Sequence, residues 1–558
     1  MVESGWKKYL EFLDNSPYST SLLASSLAPQ HRIESEEFVS VEKTNYSLFP
    51  FQQRILERIR GDALIVGLPT GLGKTYIAGA FIARESARKQ RRVIFLTPSV
   101  PLGVQQTLFA RRMLNIANAY FISGGISPEK RRELRVWNAG YVVTTPQTFY
   151  NDFLAEHEDA LRHAKNMGDP VEALRGLLGS FSFPFDILVA DECHGYIGET
   201  DGYSILLSAK ACGTNILALS ATPQLHSPGR LGELKRIFGQ IEVFSIDDPE
   251  IKSFMPERSI TLVRVPVPKK ILTVYDQLAR VIKLYRERVK GAYGSQHLRG
   301  YCKKHSLCVC LLALRIMRTR IVEDGASSVL NYGIWRVREL NQGIDELDGK
   351  SIREIYREAV KSNFNHKFRA TEEILRRKNF EKAIVFVESV EGAKQLGTIL
   401  HATYGMDEVA VLVGKGSMSM EQQASALMHF KERARILVCT SIGEEGLDIP
   451  VADLEVWMDP PSNPRKWIQR FGRILRQSGS KKVANTYALV SMMTHERGKL
   501  LSVMRRVERI YGFTQQVREE DLFKLPEKKE KGKGKEKEKE KGNEKGKGQG
   551  QREITQYI

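Results

Sequence analysis

Short apolar runs that stop abruptly at polar residues punctuate the chain. ALIV at 63–66 stops at GLPTGLGKT, and an apolar-rich segment, Tyr76 to Ala83, follows. VIFLTPSVPL, VVTTPQTF, FDILVADECH and LALSATP repeat the form, each separated by helical material. Runs of this length without alternation predict strands buried on both faces, as in a parallel sheet clad by helices. In such sheets the carboxyl ends of the strands carry the functional loops. KAIVFVES and LVCTSIGEEGLDIP repeat the pattern beyond residue 380. The expected fold is α/β, with two tandem doubly wound parallel sheets.

The middle of the chain has a different period. In ILTVYDQLARVIKLYRERV the apolar positions are Ile271, Val274, Tyr275, Leu278, Ile282, Tyr285 and Val289, the spacing of a helical stripe. The opposite face carries Arg280, Lys283, Arg286, Arg288 and Lys290. This segment is too long for a linker and predicts a helical insertion. The division expected is an N-terminal segment 1–40 with a helix from Trp6 to Leu13, a first domain 41–265 closed by the strand SITLVRVPV, an insertion 266–380 and a second domain 381–525. A disordered Lys/Glu/Gly linker 526–550 and a terminal peptide 551–558 complete it.

Composition changes the picture in two ways. The net charge is +18, and the tail from Pro526 holds only eleven basic against seven acidic residues, so the body carries most of the excess. A basic body suits a polyanion, nucleic acid first among them. Six cysteines, three of them in CKKHSLCVC, make no disulfide framework and predict a reducing compartment: a prokaryotic, archaeal cytoplasm with nucleoid association, or a nucleus. Cys302, His305 and Cys308, with Cys310 beyond, are expected to pack in a helix; metal is the alternative. The longest apolar run, LCVCLLALRIM, is too short to span a bilayer, and no membrane association is expected.

The candidate chemistry starts at LPTGLGKT. It follows the phosphate-binding pattern G-x-x-x-x-G-K-[ST], with Leu68 in the first Gly position. The loop Leu68, Pro69, Thr70, Gly71, Leu72 and Gly73 would offer backbone N–H groups to phosphate. Lys74 would hold the β- and γ-phosphates, and Thr75 would ligate Mg²⁺. At the end of FDILVADECH, Asp191 would hold the metal and Glu192 would act as general base toward water. In WIQRFGRILRQ, Arg473 and Arg476 lie three apart on one helical face, placed to close over a γ-phosphate from a second domain.

Taken together these stretches resemble a superfamily 2 helicase: GLPTGLGKT motif I, TPSVPLGVQQ Ia, TTPQ Ib, DECH II, SATP III, KAIVFVES IV, LVCTSIGEEGLDIP V and WIQRFGRILRQ VI. FPFQQ resembles the Q motif. The resemblance implies RecA-like domains using ATP and Mg²⁺. It makes Gln52 an adenine contact, Gln469 a phosphate or water contact, and Arg473 and Arg476 the arginine fingers. Gly446 and Asp448 would lie near the nucleotide. Pro98, Ser99, Thr145, Thr440 and Ser441 would touch the nucleic-acid backbone, and Ser220 and Thr222 would couple the two ligands. LPTGLGKT, DECH and TSIGEEGLDIP most resemble the Hef/FANCM DNA helicases, without a nuclease part. Such proteins carry a helical insertion that grips forked or branched DNA, which assigns Arg280 and Lys283 to DNA. An RNA-activated ATPase of the RIG-I or Dicer kind, an XPB-like translocase (QRFGRILR has Leu475 for the usual Gly), and a nucleic-acid scaffold without catalysis are the rival readings.

The last eight residues, QREITQYI, resemble the Q-x-x-h-x-x-a-a peptides that bind sliding clamps of the PCNA type. Gln551, Ile554 and Tyr557 stand in register, with Ile558 for the final aromatic. The preceding run cannot form a core and would serve as a tether.

Overall fold

The computed structural model describes residues 2–15, 27–66, 68, 72–87, 89–220, 233–234, 236–244, 248–252, 257–298, 305–325, 338–344, 347, 349–360, 365–414, 416–440, 449, 452–471, 483–511 and 517–521. Two seven-stranded sheets organise them. The first contains β1 (Ala63–Val66), β2 (Val93–Leu96), β3 (Ala119–Ile122), β4 (Tyr141–Thr144), β5 (Ile187–Ala190), β6 (Asn215–Ser220) and β7 (Gln240–Val243), in the order β3-β4-β2-β5-β6-β1-β7. Every pairing is parallel. The apolar runs form these strands because helices cover both faces; β2, β4 and β5 are buried throughout, whereas the edge strand β7 leaves Val243 exposed.

The second sheet contains β8 (Glu257–Val265), β9 (Ala383–Phe386), β10 (Val409–Leu412), β11 (Ile436–Cys439), β12 (Leu454–Trp457), β13 (Val483–Ser491) and β14 (Val517–Glu520), in the order β10-β11-β9-β12-β13-β8-β14. Its composition corrects one expectation. The strand SITLVRVPV does not close the first domain. It is β8, paired in parallel with β13 along nine residues from Glu257↔Val483 to Val265↔Ser491. The expected boundary at 265 therefore falls inside the second domain, and the helical insertion is an excursion from that domain. A strand's own sequence encodes its burial but not its partner, which here lies 226 residues away.

The insertion core is built by α6 (Lys269–Tyr293), α7 (Ser306–Glu323) and α8 (Ile352–Val360). The helices around the two sheets include α1 (Val2–Asn15), α2 (Pro50–Arg58), α3 (Lys74–Ser86), α4 (Val100–Met113), α5 (Pro146–Phe153), α9 (Lys367–Arg377), α10 (Val390–Tyr404), α11 (Met420–Glu432), α12 (Pro464–Phe471) and α13 (Glu496–Tyr511). Along α6 the stripe is buried as expected except at one step, where Val281 is buried and Ile282 only half so. Cys308 and Cys310 pack in this core, and His305 precedes the first turn of α7. Cys302 lies outside the described residues. Among the described residues no three His, Cys, Asp or Glu side chains cluster as a metal site, and no helix is long and apolar enough to cross a membrane.

α9 lies before the expected boundary at 380 yet packs with the second sheet. Lys367 is fully buried there, donating to Glu496 Oε1 and to the Met458 carbonyl, both at 2.6 Å. The N-terminal segment divides as well. α1 packs on α10 and α11 of the second domain, with Trp6, Tyr9 and Leu13 buried. The Val411 N–H of β10 donates to the Tyr9 hydroxyl at 2.9 Å. Residues 33–39 instead line the first domain, through Ile33 N to Leu134 O, Glu37 N to Asn138 O and a bridge from Val39 to Arg91.

Candidate nucleotide and nucleic-acid site

The carboxyl edge of the first sheet gathers the candidate residues. β1 leads into Leu68 and the end of the phosphate loop, β2 into Pro98 and Ser99, and β4 into Thr145. β5 leads into Asp191 and Glu192, and β6 ends in Ser220. Loop and helix meet at Gly73, whose φ of 78° and ψ of 37° place it in the left-handed region. A Cβ there would stand 2.4 Å from Gln52 Nε2, so only glycine fits.

Lys74 opens α3. Its ammonium is buried, donates to the Leu68 carbonyl at 3.3 Å and lies 3.9 Å from Glu192 Oε1. Asp191 accepts the Glu192 N–H at 2.9 Å. Burial, then the charge of Glu192, hold the Asp191 carboxyl above the usual carboxylate range against the opposing pull of Lys74. Two buried carboxylates thus face one ammonium, an arrangement that a divalent cation would complete. Thr75 supplies a hydroxyl beside Lys74, held by Gln106 Nε2 of α4 at 3.2 Å. Oxygen donors of this kind fit Mg²⁺.

Glu192 carries a left-handed φ of 49°, strained for a residue with a Cβ. His194 bridges it onward: Nδ1 lies 3.2 Å from Glu192 Oε2 and 3.2 Å from Ser220 Oγ. The expected coupling residue Ser220 is therefore wired to the carboxylate pair by a histidine that the sequence reading did not single out. Gln106 was likewise missed. Their only signal was position, one inside DECH and one a turn into the helix after TPSVP.

Gln52, expected as an adenine contact, lies beside the phosphate loop. Its Nε2 donates to the Leu72 carbonyl and its Oε1 accepts the Phe49 N–H, both at 2.9 Å, and the side chain is buried. Here it braces the phosphate loop. Thr145 stands at the N-cap position of α5, and its hydroxyl lies 3.0 Å from Thr148 Oγ1. Pro98 is exposed, and Ser99 precedes the first turn of α4.

In the second domain Thr440 follows β11 and is buried. Gln469 and Arg470 are buried on α12. Arg470 Nη1 donates to the Asp459 carbonyl at 2.8 Å, and its guanidinium lies over the Phe386 ring. Pro69, Thr70, Gly71, Thr222, Ser441, Gly446, Asp448, Arg473 and Arg476 lie outside the described residues, as do Gln551, Ile554, Tyr557 and Ile558. On the insertion Arg280, Lys283, Arg286, Arg288 and Lys290 are all exposed, opposite the buried stripe.

Comparison with known proteins agrees with this layout. Residues 366–478 match the family described as Helicase conserved C-terminal domain, and residues 45–225 that described as Type III restriction enzyme, res subunit. A Methanocaldococcus jannaschii chain named as an ATP-dependent RNA helicase, MJ1505, is 26% identical over 81% of this chain and 59% of its own length. The ATP-dependent DNA helicase MPH1 of Pyricularia oryzae is 22% identical over 84% of this chain and 47% of its own. The chain thus spans about half the length of such curated relatives. Among solved structures, the Pyrococcus furiosus Hef helicase domain aligns over 81% of this chain and 97% of its own, with a TM-score of 0.50 and 22% identity, a likeness in fold.

Proposed function

We propose that this chain, which belongs to the superfamily 2 helicases of the Hef/FANCM type, is an ATP-dependent DNA helicase or translocase acting on forked or branched DNA in repair. The observation that carries the reading is Lys74 set against the buried Asp191–Glu192 pair at the carboxyl edge of a parallel sheet, in a chain that also holds a second such sheet. Lys74 and the loop N–H groups bind the phosphates. Thr75 and Asp191 would hold Mg²⁺, whose charge would favour hydrolysis at the phosphates. Glu192 takes the proton of the attacking water, and its strained backbone and His194 fix where that carboxylate points. Gln469, Arg473 and Arg476 act from the second domain. The phosphate contacts of Pro98, Ser99, Thr145, Thr440 and Ser441 alternate their grip as the cleft cycles.

The exposed basic face of α6 supports an insertion that holds the junction, with binding that weakens steeply as salt rises. The terminal peptide of Gln551, Ile554, Tyr557 and Ile558 docks on a PCNA-type clamp. The name carried by the Methanocaldococcus relative favours a second reading, an RNA-driven ATPase. ATPase rates with forked DNA, linear duplex DNA and duplex RNA separate the two. Greater stimulation by duplex RNA than by any DNA overturns the first reading.

A further inference from the structure

The insertion and the helix that carries Gln469 and Arg470 meet at one carboxylate. Glu388 follows β9 and accepts cations from two separate elements. From α12, Lys466 Nζ lies 3.1 Å from Oε1 and 3.0 Å from Oε2, and Arg470 Nη2 lies 3.6 Å from Oε2. From the insertion, Arg320 Nη2 of α7 lies 3.8 Å from Oε1. The Glu388 N–H donates to Asp459 Oδ2 at 2.6 Å, so its backbone is tied to the residue whose carbonyl holds Arg470.

The other end of Arg320 is equally fixed. Its Nη1 lies 2.6 Å from the buried Asp324 carboxylate at the end of α7. That end is seated on the second domain. The Val322 carbonyl accepts from Ser491 Oγ at 3.3 Å, the Glu323 carbonyl accepts from Asn365 Nδ2 at 3.2 Å, and Glu323 pairs with Lys499. Arg318, on the same helix, lies 3.9 Å over the Tyr275 ring of α6, and the Tyr275 hydroxyl is 2.9 Å from His495 Nδ1. α6 and α7 therefore move together, and Arg320 is where their movement reaches the carboxylate that orients α12.

We propose that Arg320 and Glu388 are positioning residues that couple nucleic acid held by the insertion to the ATPase site, Glu388 sharing one carboxylate between the insertion and α12, with Arg320 and Lys466 both on Oε1. A small rotation of α7 draws Arg320 from Oε1 or presses it closer. Lys466 and Arg470 then bind the same carboxylate more or less tightly, and Gln469, between Ile468 and Arg470 on α12, shifts with them. Contacts of this kind carry coupling only where both sites bias one shared element, and the shared carboxylate is that element. The coupling to nucleic acid rests on the function proposed above; the mechanical link does not.

Two measurements on the full chain separate these. Hydrogen exchange of the 464–471 peptide, without nucleic acid, should quicken at least fivefold in Arg320→Ala, while peptides of β1, β2 and β5 keep the parent rate. Unchanged exchange in 464–471 overturns the link. The second measurement is the ratio of forked-DNA-stimulated to basal kcat. Arg320→Ala should lower it about tenfold, with basal kcat, KM for ATP and affinity for the fork within twofold of the parent. Arg320→Lys, which keeps the cation, should recover most of the ratio. A parent ratio retained in Arg320→Ala overturns the coupling, as does a loss of fork affinity that matches the lost stimulation. Because Asp324 would be left buried without its cation, Arg320→Ala with Asp324→Asn serves where the single variant does not fold, with the same outcomes expected. A parent stimulated by no nucleic acid defeats the proposed function, and the exchange result still decides the link.

Discussion

Lys367→Met tests how the second domain is held together. Lys367 and Glu496 are both fully buried, 2.6 Å apart, and Glu496 Oε2 also accepts the Ser491 N–H at 2.6 Å. Burial already pushes the Glu496 carboxyl up, and Lys367 opposes that push. With Lys367 gone, Glu496 must either stay charged without its partner or take a proton, with Glu323 adding repulsion. Breaking one side of a buried pair costs about 3–5 kcal/mol. For a domain with a urea slope of roughly 3 kcal/mol per molar, the midpoint should fall by about 1–1.7 M. Lys367→Met with Glu496→Gln removes the stranded charge and keeps an acceptor for Ser491. It leaves mainly the Met458 carbonyl short of a donor, about 1 kcal/mol. Trp457 and Trp467, buried with rings 4.8 Å apart, report this domain by fluorescence. A double variant no more stable than the single would show that a stranded charge is not the source of the loss.

Glu192→Gln should retain nucleotide binding and lower kcat by at least a hundredfold, because Lys74 and Asp191 remain while the proton acceptor is gone; near-parent turnover removes Glu192 from the mechanism. Tyr9→Phe should cost about 1–3 kcal/mol in the second domain, since the buried Val411 N–H loses its acceptor, read as faster exchange at β10. His366 is half-buried, with Nε2 2.8 Å from Ser491 Oγ, and loss of hydration, then the charge of Lys367, hold its pKa down to about 3 against an ordinary 6.5. Below pH 6.5 the unfolded chain binds a proton that the folded chain refuses, so stability falls as pH falls through that window. Between pH 7 and 5 the parent should lose about 2 kcal/mol more than His366→Gln, and equal losses in urea titrations would refute the assignment. Neutralising Arg280, Lys283, Arg286 and Lys290 together should weaken fork binding and flatten its salt dependence while basal ATPase persists; unchanged binding at every salt concentration leaves that face merely solvated.

What was legible in the sequence follows from what local pattern encodes. Ile187–Ala190 announces a buried strand because four apolar residues in a row have no other stable place, and the polar residues after it mark the functional edge. Pairing is not local. SITLVRVPV reads as a strand wherever it goes, and nothing within it names β13. The stripe on α6 drifts because 3.6 residues per turn do not repeat in whole steps, which moved burial from Ile282 to Val281. The motif around Gln52 suggests a ligand contact but does not show that its two polar ends meet Leu72 and Phe49, since both partners are set by the fold of the loop. His194 escaped notice because one histidine in DECH has no chemistry until β6 brings Ser220 to it.

The divided N-terminal segment has a mechanical consequence. The two domains are joined twice: once through the chain from Val243 to Glu257, and once through the chain from Asn15 to Ile33, since α1 is anchored on the second domain and residues 33–39 on the first. Drawn straight, the eighteen residues from Asn15 to Ile33 reach at most about 60 Å and the fourteen from Val243 to Glu257 at most about 50 Å. While Tyr9 stays seated the pair is a closed circuit, and each arm caps the separation of its own two anchor points. Release of α1 would leave the two sheets joined by the 243–257 chain alone, so the seat of one tyrosine decides whether the pair is a loop or a hinge.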